Sequence, residues 1–368
     1  MKILSVVTLI TPQGDYGGPV RVALNQAKAL SERGHSLTIA GAHRGYGEAP
    51  PISFEGIAAA LFPARMVLPG TGFAGLAAPQ LSDWIDSEIN SFDIVHVHAA
   101  RDLVTLPAAR RVHRAGIPFV LQTHGMIDPS SNPLSRPLDA ALTRPLLRNA
   151  KWVFYLTPQE RNDLIAVGGN DLALRELPNG VPQTTERRDD ATGREILYLA
   201  RLAPRKRPLV FVEAARRLAS KYPGARFSLV GPDEGEGARV ERAIDESPAT
   251  GLRWEGALAP EETGRRMSEA SIYVLPSVDE PFPMSVLEAM AVGLPVIITE
   301  SCGLAPLVRR TGSGIVTDES LEALVGAIDS LLASPELAQE MGRRGLEAAR
   351  TELGMSAVAQ VLEDAYSS

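Results

Sequence analysis

The sequence predicts an α/β chain of two doubly wound domains with parallel sheets, and three observations predict it. Short β-branched runs alternate with amphipathic helical stretches from one end to the other, the pattern of βαβ units. A length of 368 residues exceeds one ordinary core and suits two. A polar, charged stretch of little periodicity, residues 183–193, parts the two alternating halves. The expected layout is a first domain over 1–183, a linker over 184–193, a second domain over 194–353 and a final helix over 354–368.

In the first half, strands are expected at 3–8, 37–40, 94–97, 119–123 and 152–156. Helices open near Leu103 and near Pro19, Pro137 and Pro158, where proline suits a first turn whose N–H has no partner in any case. In the second half, strands are expected at 195–200, 226–230, 272–275, 296–298 and 314–316. The run 284–291 is helix-forming and Gly293-Leu294-Pro295 ends it. Residues 321–332, 335–350 and 356–366 read as terminal helices.

A hydrophobic fraction of 45% and a charged fraction of 22% are those of a soluble globular protein. No apolar run approaches the roughly 20 residues of a membrane helix, and no leader pattern follows Met1-Lys2. The reading predicts a cytoplasmic protein. A net charge of −7 argues against a nucleic-acid binder. Basic residues nevertheless outnumber acids between Arg101 and Arg161, so a solvated helix face there competes with a patch for an anionic acceptor or peripheral contact with the inner face of a membrane. Cys302, the sole cysteine, leaves no internal disulfide or cysteine zinc cage and reads as a packing residue.

An open parallel sheet binds its ligand outside the carboxyl ends of its strands. In the first half those positions carry Gly17-Gly18, His98 and His124-Gly125; in the second they carry Arg201, Gly231 and Glu280. His96 and His98 alternate on one strand; His96 reads as core and His98 as the one able to reach the ligand edge, and for each a structural role is favoured over a functional one. Glu280 and Glu288 stand eight positions apart, one at a strand end and the other on the following helix. The helix start between them offers free N–H groups to a phosphate. A nucleotide sugar suits this arrangement, with Glu288 accepting from ribose hydroxyls and Glu280 from the sugar. Arg201 and Lys206, before the next helix, can converge on the diphosphate.

The word Glu280, seven residues, Glu288, then Ala289-Met290-Ala291-Val292-Gly293-Leu294-Pro295-Val296, resembles the signature of the retaining glycosyltransferases of family four, the glycosyl transferases group one. Arg201-Leu202-Ala203-Pro204-Arg205-Lys206 resembles the same family's Gly-Arg-Leu-x-x-x-Lys-Gly, with Ala200 and Arg207 in place of its glycines. Asp15-Tyr16-Gly17-Gly18-Pro19-Val20-Arg21 resembles its glycine loop, and Thr123-His124-Gly125 its strand-end histidine. Asn179-Gly180 matches a further family word and reads as a turn into the second domain.

The resemblance implies a GT-B architecture, two Rossmann-like domains with parallel sheets facing across a cleft, the last helix crossing back to the first. It implies catalytic roles for His124, Glu280, Arg201 and Lys206. Donor binding falls to Gly17, Gly18, Arg201, Lys206, Gly231, Phe282, Met284, Ser285 and Glu288. Pro281 stands where the family usually has glycine and offers no N–H, so backbone contacts pass to Phe282, Met284 or Ser285. Cys302-Gly303-Leu304-Ala305-Pro306 replaces the family's acidic word after the next strand, so no acidic role is expected there.

Transfer requires stabilisation of the departing diphosphate more than a strong base. Arg201 and Lys206 supply that counter-charge and the chain has no Asp-x-Asp, so metal-independent transfer with no metal ligands is expected. The resemblance adds retention of configuration. The expected partners are a UDP- or GDP-sugar donor and a saccharide, lipid-linked or small-molecule acceptor, with no cofactor beyond the donor. A nucleotide-sugar epimerase, a sugar phosphorylase and a non-catalytic sugar-nucleotide-binding protein remain alternatives. A dehydrogenase is disfavoured because no Gly-x-Gly-x-x-Gly follows the first strand.

Overall fold

The apolar runs of the first half form β1 (Lys2–Ile10), β2 (Ser36–His43), β3 (Ser53–Phe54), β4 (Ile57–Pro63), β5 (Arg65–Met66), β6 (Leu76–Ala77), β7 (Ile94–His98), β8 (Phe119–Gln122), β9 (Trp152–Tyr155) and β10 (Leu174–Glu176). The computed structural model describes residues 1–12, 17–47, 49–188, 193–246, 251–259 and 262–368. Asp15, Tyr16 and part of the expected linker, with Asp189 and Asp190, lie outside the described residues. Among those described, the chain divides into a first unit, Met1–Gly180 with Met355–Ser368, and a second, Val181–Gly354.

The first sheet runs β10-β9-β8-β7-β1-β2-β4-β3 and is parallel except for the β3–β4 pair. Strands covered on both faces read as continuous apolar runs, and β7 is buried throughout. Leu4, Val6, Val95, Val97 and Leu121 serve one core. Ile3, Val7, Ile94, Val120 and Phe154 serve the other, completed by Val358, Ala359 and Leu362 of the helix Met355–Ser367. The terminal helix is thus part of the first unit's core.

Strand β4 was not expected. Its Ile57-Ala58-Ala59-Ala60-Leu61 favours helix by propensity, yet it pairs in parallel with β2 from Thr38↔Ala58 to His43↔Pro63, and pairing overrides propensity.

The second sheet comprises β11 (Glu195–Leu199), β12 (Arg226–Val230), β13 (Leu252–Trp254), β14 (Ile272–Leu275), β15 (Val296–Thr299) and β16 (Gly314–Thr317). It runs β13-β12-β11-β14-β15-β16, parallel throughout. Strand order reverses between β11 and β14 here and between β1 and β7 in the first sheet, the places where doubly wound sheets open a crevice. The Val181 N–H donates to the Leu353 carbonyl at 2.8 Å, so the second unit's first and last residues lie together. Residues 181–188 belong to this unit; the Arg188 N–H donates to the Val292 carbonyl at 2.8 Å. Among the described residues no helix is long and apolar enough to cross a membrane.

Candidate active site

In the second unit, Arg201 and Glu280 follow the two strands that flank the order reversal. After β11 the chain enters a short 3₁₀ turn, Pro204–Lys206, and then the helix Pro208–Ala219. Arg207 between them is left-handed at φ 54°, so it takes on the conformation that a glycine would adopt freely, at about 1–2 kcal/mol. The turn carries Lys206 inward. Its Nζ lies 2.5 Å from Glu280 Oε2, and Arg205 Nη2 lies 3.4 Å from the same oxygen. Arg205 also ties the two strand ends together, donating from Nη1 to the Asp279 carbonyl at 2.9 Å while its own carbonyl accepts the Val278 N–H at 3.0 Å. Burial lowers the pKa of Lys206, and the Glu280 carboxylate opposes that by holding the ammonium charged.

Arg201 is exposed and pairs with Glu234 at 2.6 Å, a contact open to an incoming anion. Gly231 has φ 145°, and a Cβ there would meet the Ala200 carbonyl oxygen at 2.0 Å, so glycine is required for the ends of β11 and β12 to approach. Its backbone is already engaged, the N–H to the Gly256 carbonyl at 2.7 Å and the carbonyl to Trp254 Nε1 at 2.9 Å.

The helix Met284–Val292 starts after Pro283 with no side-chain cap and ends at left-handed Gly293. Phe282, Met284, Ser285 and Glu288 are half-buried, and Met284 and Glu288 share a helix face by their spacing of four. The Tyr273 hydroxyl donates to the Leu199 carbonyl at 3.0 Å and pairs with the Ser285 hydroxyl at 2.7 Å. Burial pushes the Tyr273 phenol well up, and the charges of Glu288 and Glu280 push the same way, so both carboxylates act on this one hydroxyl. Burial raises the Cys302 thiol to about 11 and leaves it without thiolate character. Among the described residues, no group of three His, Cys, Asp or Glu is placed to hold a metal ion.

In the first unit, β8 ends in the turn Thr123-His124-Gly125, where His124 and Gly125 are both left-handed at φ 52° and 72°. A single buried carboxylate braces it. Glu160 Oε1 accepts the Thr123 hydroxyl and the Gly125 N–H, each at 2.5 Å, and Oε2 accepts the Leu156 N–H at 2.6 Å. His124 Nε2 lies 2.8 Å from His98 Nδ1 with the rings stacked. His98 stacks in turn on His96, whose Nδ1 lies 2.7 Å from the Tyr366 hydroxyl. His98 is therefore buried and reaches His124 rather than solvent. Burial pushes His96 and His124 down to about 3, and His98 well below its ordinary value, so all three are neutral near pH 7.

Gly17 and Gly18 open the helix Gly17–Glu32, two residues ahead of the expected start at Pro19. Gly18 is exposed, with no atom within 4 Å of where a Cβ would stand. Many cations of the Arg101–Arg161 stretch have internal partners: Arg101 with Asp128 and Asp139, Arg111 with Asp86, and Arg144 and Arg148 with the Val167 and Gly168 carbonyls.

Sequence reasoning missed two carboxylates. Glu160 had a signal, since Thr157-x-x-Glu160 after a strand is a capping-box word. Asp102 had one too, standing just before a helical run; its Oδ1 accepts the Val104 and Thr105 N–H groups and its Oδ2 the Thr8 hydroxyl at 2.5 Å.

A family model described as glycosyl transferases group 1 matches residues 184–348, and one described as a glycosyl transferase 4-like domain matches residues 17–180. The D-inositol 3-phosphate glycosyltransferase of Segniliparus rotundus is 26% identical over 198 residues, 52% of this chain and 44% of that protein. The chain therefore spans less than half of that relative's length. The glycogen synthase of Mycobacterium tuberculosis is 25% identical over 288 residues, 74% of this chain and 68% of that one. Among solved structures, Anabaena HepE in complex with UDP and glucose superposes with a TM-score of 0.76 at 19% identity, covering 100% of both chains, which shows the shared GT-B fold. With both halves matched in this way, the chain belongs to the glycosyl transferases group 1 family.

Proposed function

We propose that the chain moves a hexosyl unit from a UDP- or GDP-sugar to a saccharide, lipid-linked or small-molecule acceptor, with retention of configuration and without a divalent metal or other cofactor. One observation carries the reading: Arg201, Arg205, Lys206 and Glu280 gather at the carboxyl ends of β11 and β14, where the strand order reverses. Arg201 and Lys206 would neutralise the diphosphate as it leaves, the electrostatic part of the barrier that fixed cations lower most effectively. Glu280, steadied by Lys206, would accept from the sugar, and Glu288 from the ribose. The backbone at Phe282, Met284 and Ser285 would meet the phosphates at the start of their helix, and Gly231 would leave room beside the nucleotide. His124 would contact the transferred sugar as a neutral imidazole oriented by His98, and Gly17 and Gly18 would allow close approach of sugar or phosphate. The solution of the structural relative HepE with UDP and glucose supports a nucleotide-sugar donor.

The test is a product assay. UDP- and GDP-hexoses are incubated with the protein and a panel of acceptors, and the products are read by NMR. A new glycoside with the donor's anomeric configuration supports the reading; an epimerised donor, phosphate-dependent cleavage or an inverted product sinks it.

A further inference from the structure

At its carboxyl end β4 leads into β5 and β6, which form a separate two-stranded hairpin that an isolated parallel bridge between Ala77 and Leu103 ties to the first unit. Met66, Val67 and Leu68, in the hairpin, are 44%, 53% and 45% exposed, and all of residues 65–70 are exposed. A run of exposed apolar side chains works against solubility unless it has a use. The backbone that presents them is well pinned. The Val67 and Leu68 N–H groups donate to the Gly75 carbonyl at 2.8 and 3.3 Å, and Thr71 Oγ1 donates to the Leu68 carbonyl at 2.7 Å. A Cβ on Gly75 would stand 2.3 Å from the Leu68 carbonyl oxygen, so the closure depends on glycine.

Along the segment that forms the tip, charge has one sign. Between Glu55 and Asp83 the chain carries no acid, and Arg65 is its only charged residue. The Ala64 N–H donates to the His43 carbonyl at 2.9 Å, which brings Arg44 alongside Arg65, and both are exposed.

We propose that this hairpin docks the protein on an anionic lipid bilayer, with Met66, Val67 and Leu68 entering the boundary between headgroups and acyl chains while Arg44 and Arg65 meet lipid phosphates. Reversible membrane binding takes two weak signals together, and apolar insertion beside a cation pair supplies both. A protein partner fits less well. A standard interface buries about 800 Å² on each side, whereas three exposed side chains need a matching pocket in a protein and none in a fluid surface. Because β4 is parallel to β1 and β2, the hairpin leaves the same edge of the first sheet that carries Gly18 and His124. The docking itself does not depend on the transferase reading.

The full chain is sedimented with vesicles of phosphatidylglycerol and phosphatidylcholine, and with vesicles of phosphatidylcholine alone. Binding to the mixed vesicles should exceed binding to the neutral ones by about tenfold or more, and rising salt should weaken it. The variant Met66→Ser/Val67→Ser/Leu68→Ser should lose about tenfold or more on mixed vesicles, and Arg44→Gln/Arg65→Gln should remove most of the preference for anionic lipid. Val67→Trp keeps an apolar tip, and its emission should shift to the blue on mixed vesicles. The proposal is overturned if the parent chain does not bind, if the triple serine variant binds as the parent does, if neutral vesicles bind equally well, or if Val67→Trp shows no shift. Vesicle-free self-association that the serine substitutions abolish would assign the tip to a second copy instead.

Discussion

Lys206 Nζ stands 2.5 Å from Glu280 Oε2, and each side chain is only about a tenth exposed, so two residues that the sequence assigns to neighbouring parts of a donor, its diphosphate and its sugar, form one buried ion pair. Truncating one partner of a buried pair typically costs about 3–5 kcal/mol, because the other charge stays buried alone. Glu280→Ala should therefore lower stability on that scale in urea unfolding. Glu280→Gln, which keeps an oxygen for the ammonium, should cost less stability while lowering turnover more than donor affinity. A glutamine variant that turns over at the parent rate would detach Glu280 from the reacting sugar.

Glu288→Gln should weaken binding of the nucleoside diphosphate by about 1.5–3 kcal/mol, the scale of a hydrogen bond to a charged group. Calorimetry with UDP and GDP reads this directly, and an unchanged dissociation constant would take Glu288 out of the ribose site.

Much of this was legible in chain order. Alternating β-branched runs gave both sheets, and the spacing from Glu280 to Glu288 marked the crevice end of β14. What the sequence hid has physical causes. Alanine-rich β4 is a strand because β2 and β3 pair with it. Arg207 adopts a left-handed conformation usually left to glycine, which its residue type does not announce. The ion pair of Lys206 with Glu280 joins positions far apart in sequence, and residue types at strand ends say which groups meet a ligand edge but not which meet each other.

Glu160 and His124 should act through one turn. His124→Ala should reduce transfer by about 10²-fold or more while leaving affinity for bare nucleoside diphosphate intact, the scale of one positioned transition-state group. Glu160→Ala removes the acceptor of the Thr123 hydroxyl and the Gly125 N–H and should reproduce that split between turnover and nucleotide affinity. Parallel loss of both quantities in a folded variant would place His124 in the nucleotide pocket.

The histidine column makes stability depend on pH. His96 and His124 titrate near 3 in the folded chain against 6.5 unperturbed. Between those values the unfolded chain binds the protons and the folded one does not, so stability falls as pH drops from about 6.5 toward 3 and is fully present above that window. Denaturant midpoints measured from pH 7 to pH 4 should decline, and His96→Gln should flatten the slope. A parent midpoint independent of pH across the window would contradict the neutral column.

The most direct measurement is the release of nucleoside diphosphate from UDP- and GDP-hexoses by the purified chain, with and without acceptor, in the parent and in Lys206→Ala. The account predicts slow release that acceptor accelerates, that a chelator leaves unchanged, and that Lys206→Ala lowers by about 10²-fold or more. No release from any donor, equal release by Lys206→Ala, or activity abolished by chelator and restored by magnesium would contradict it.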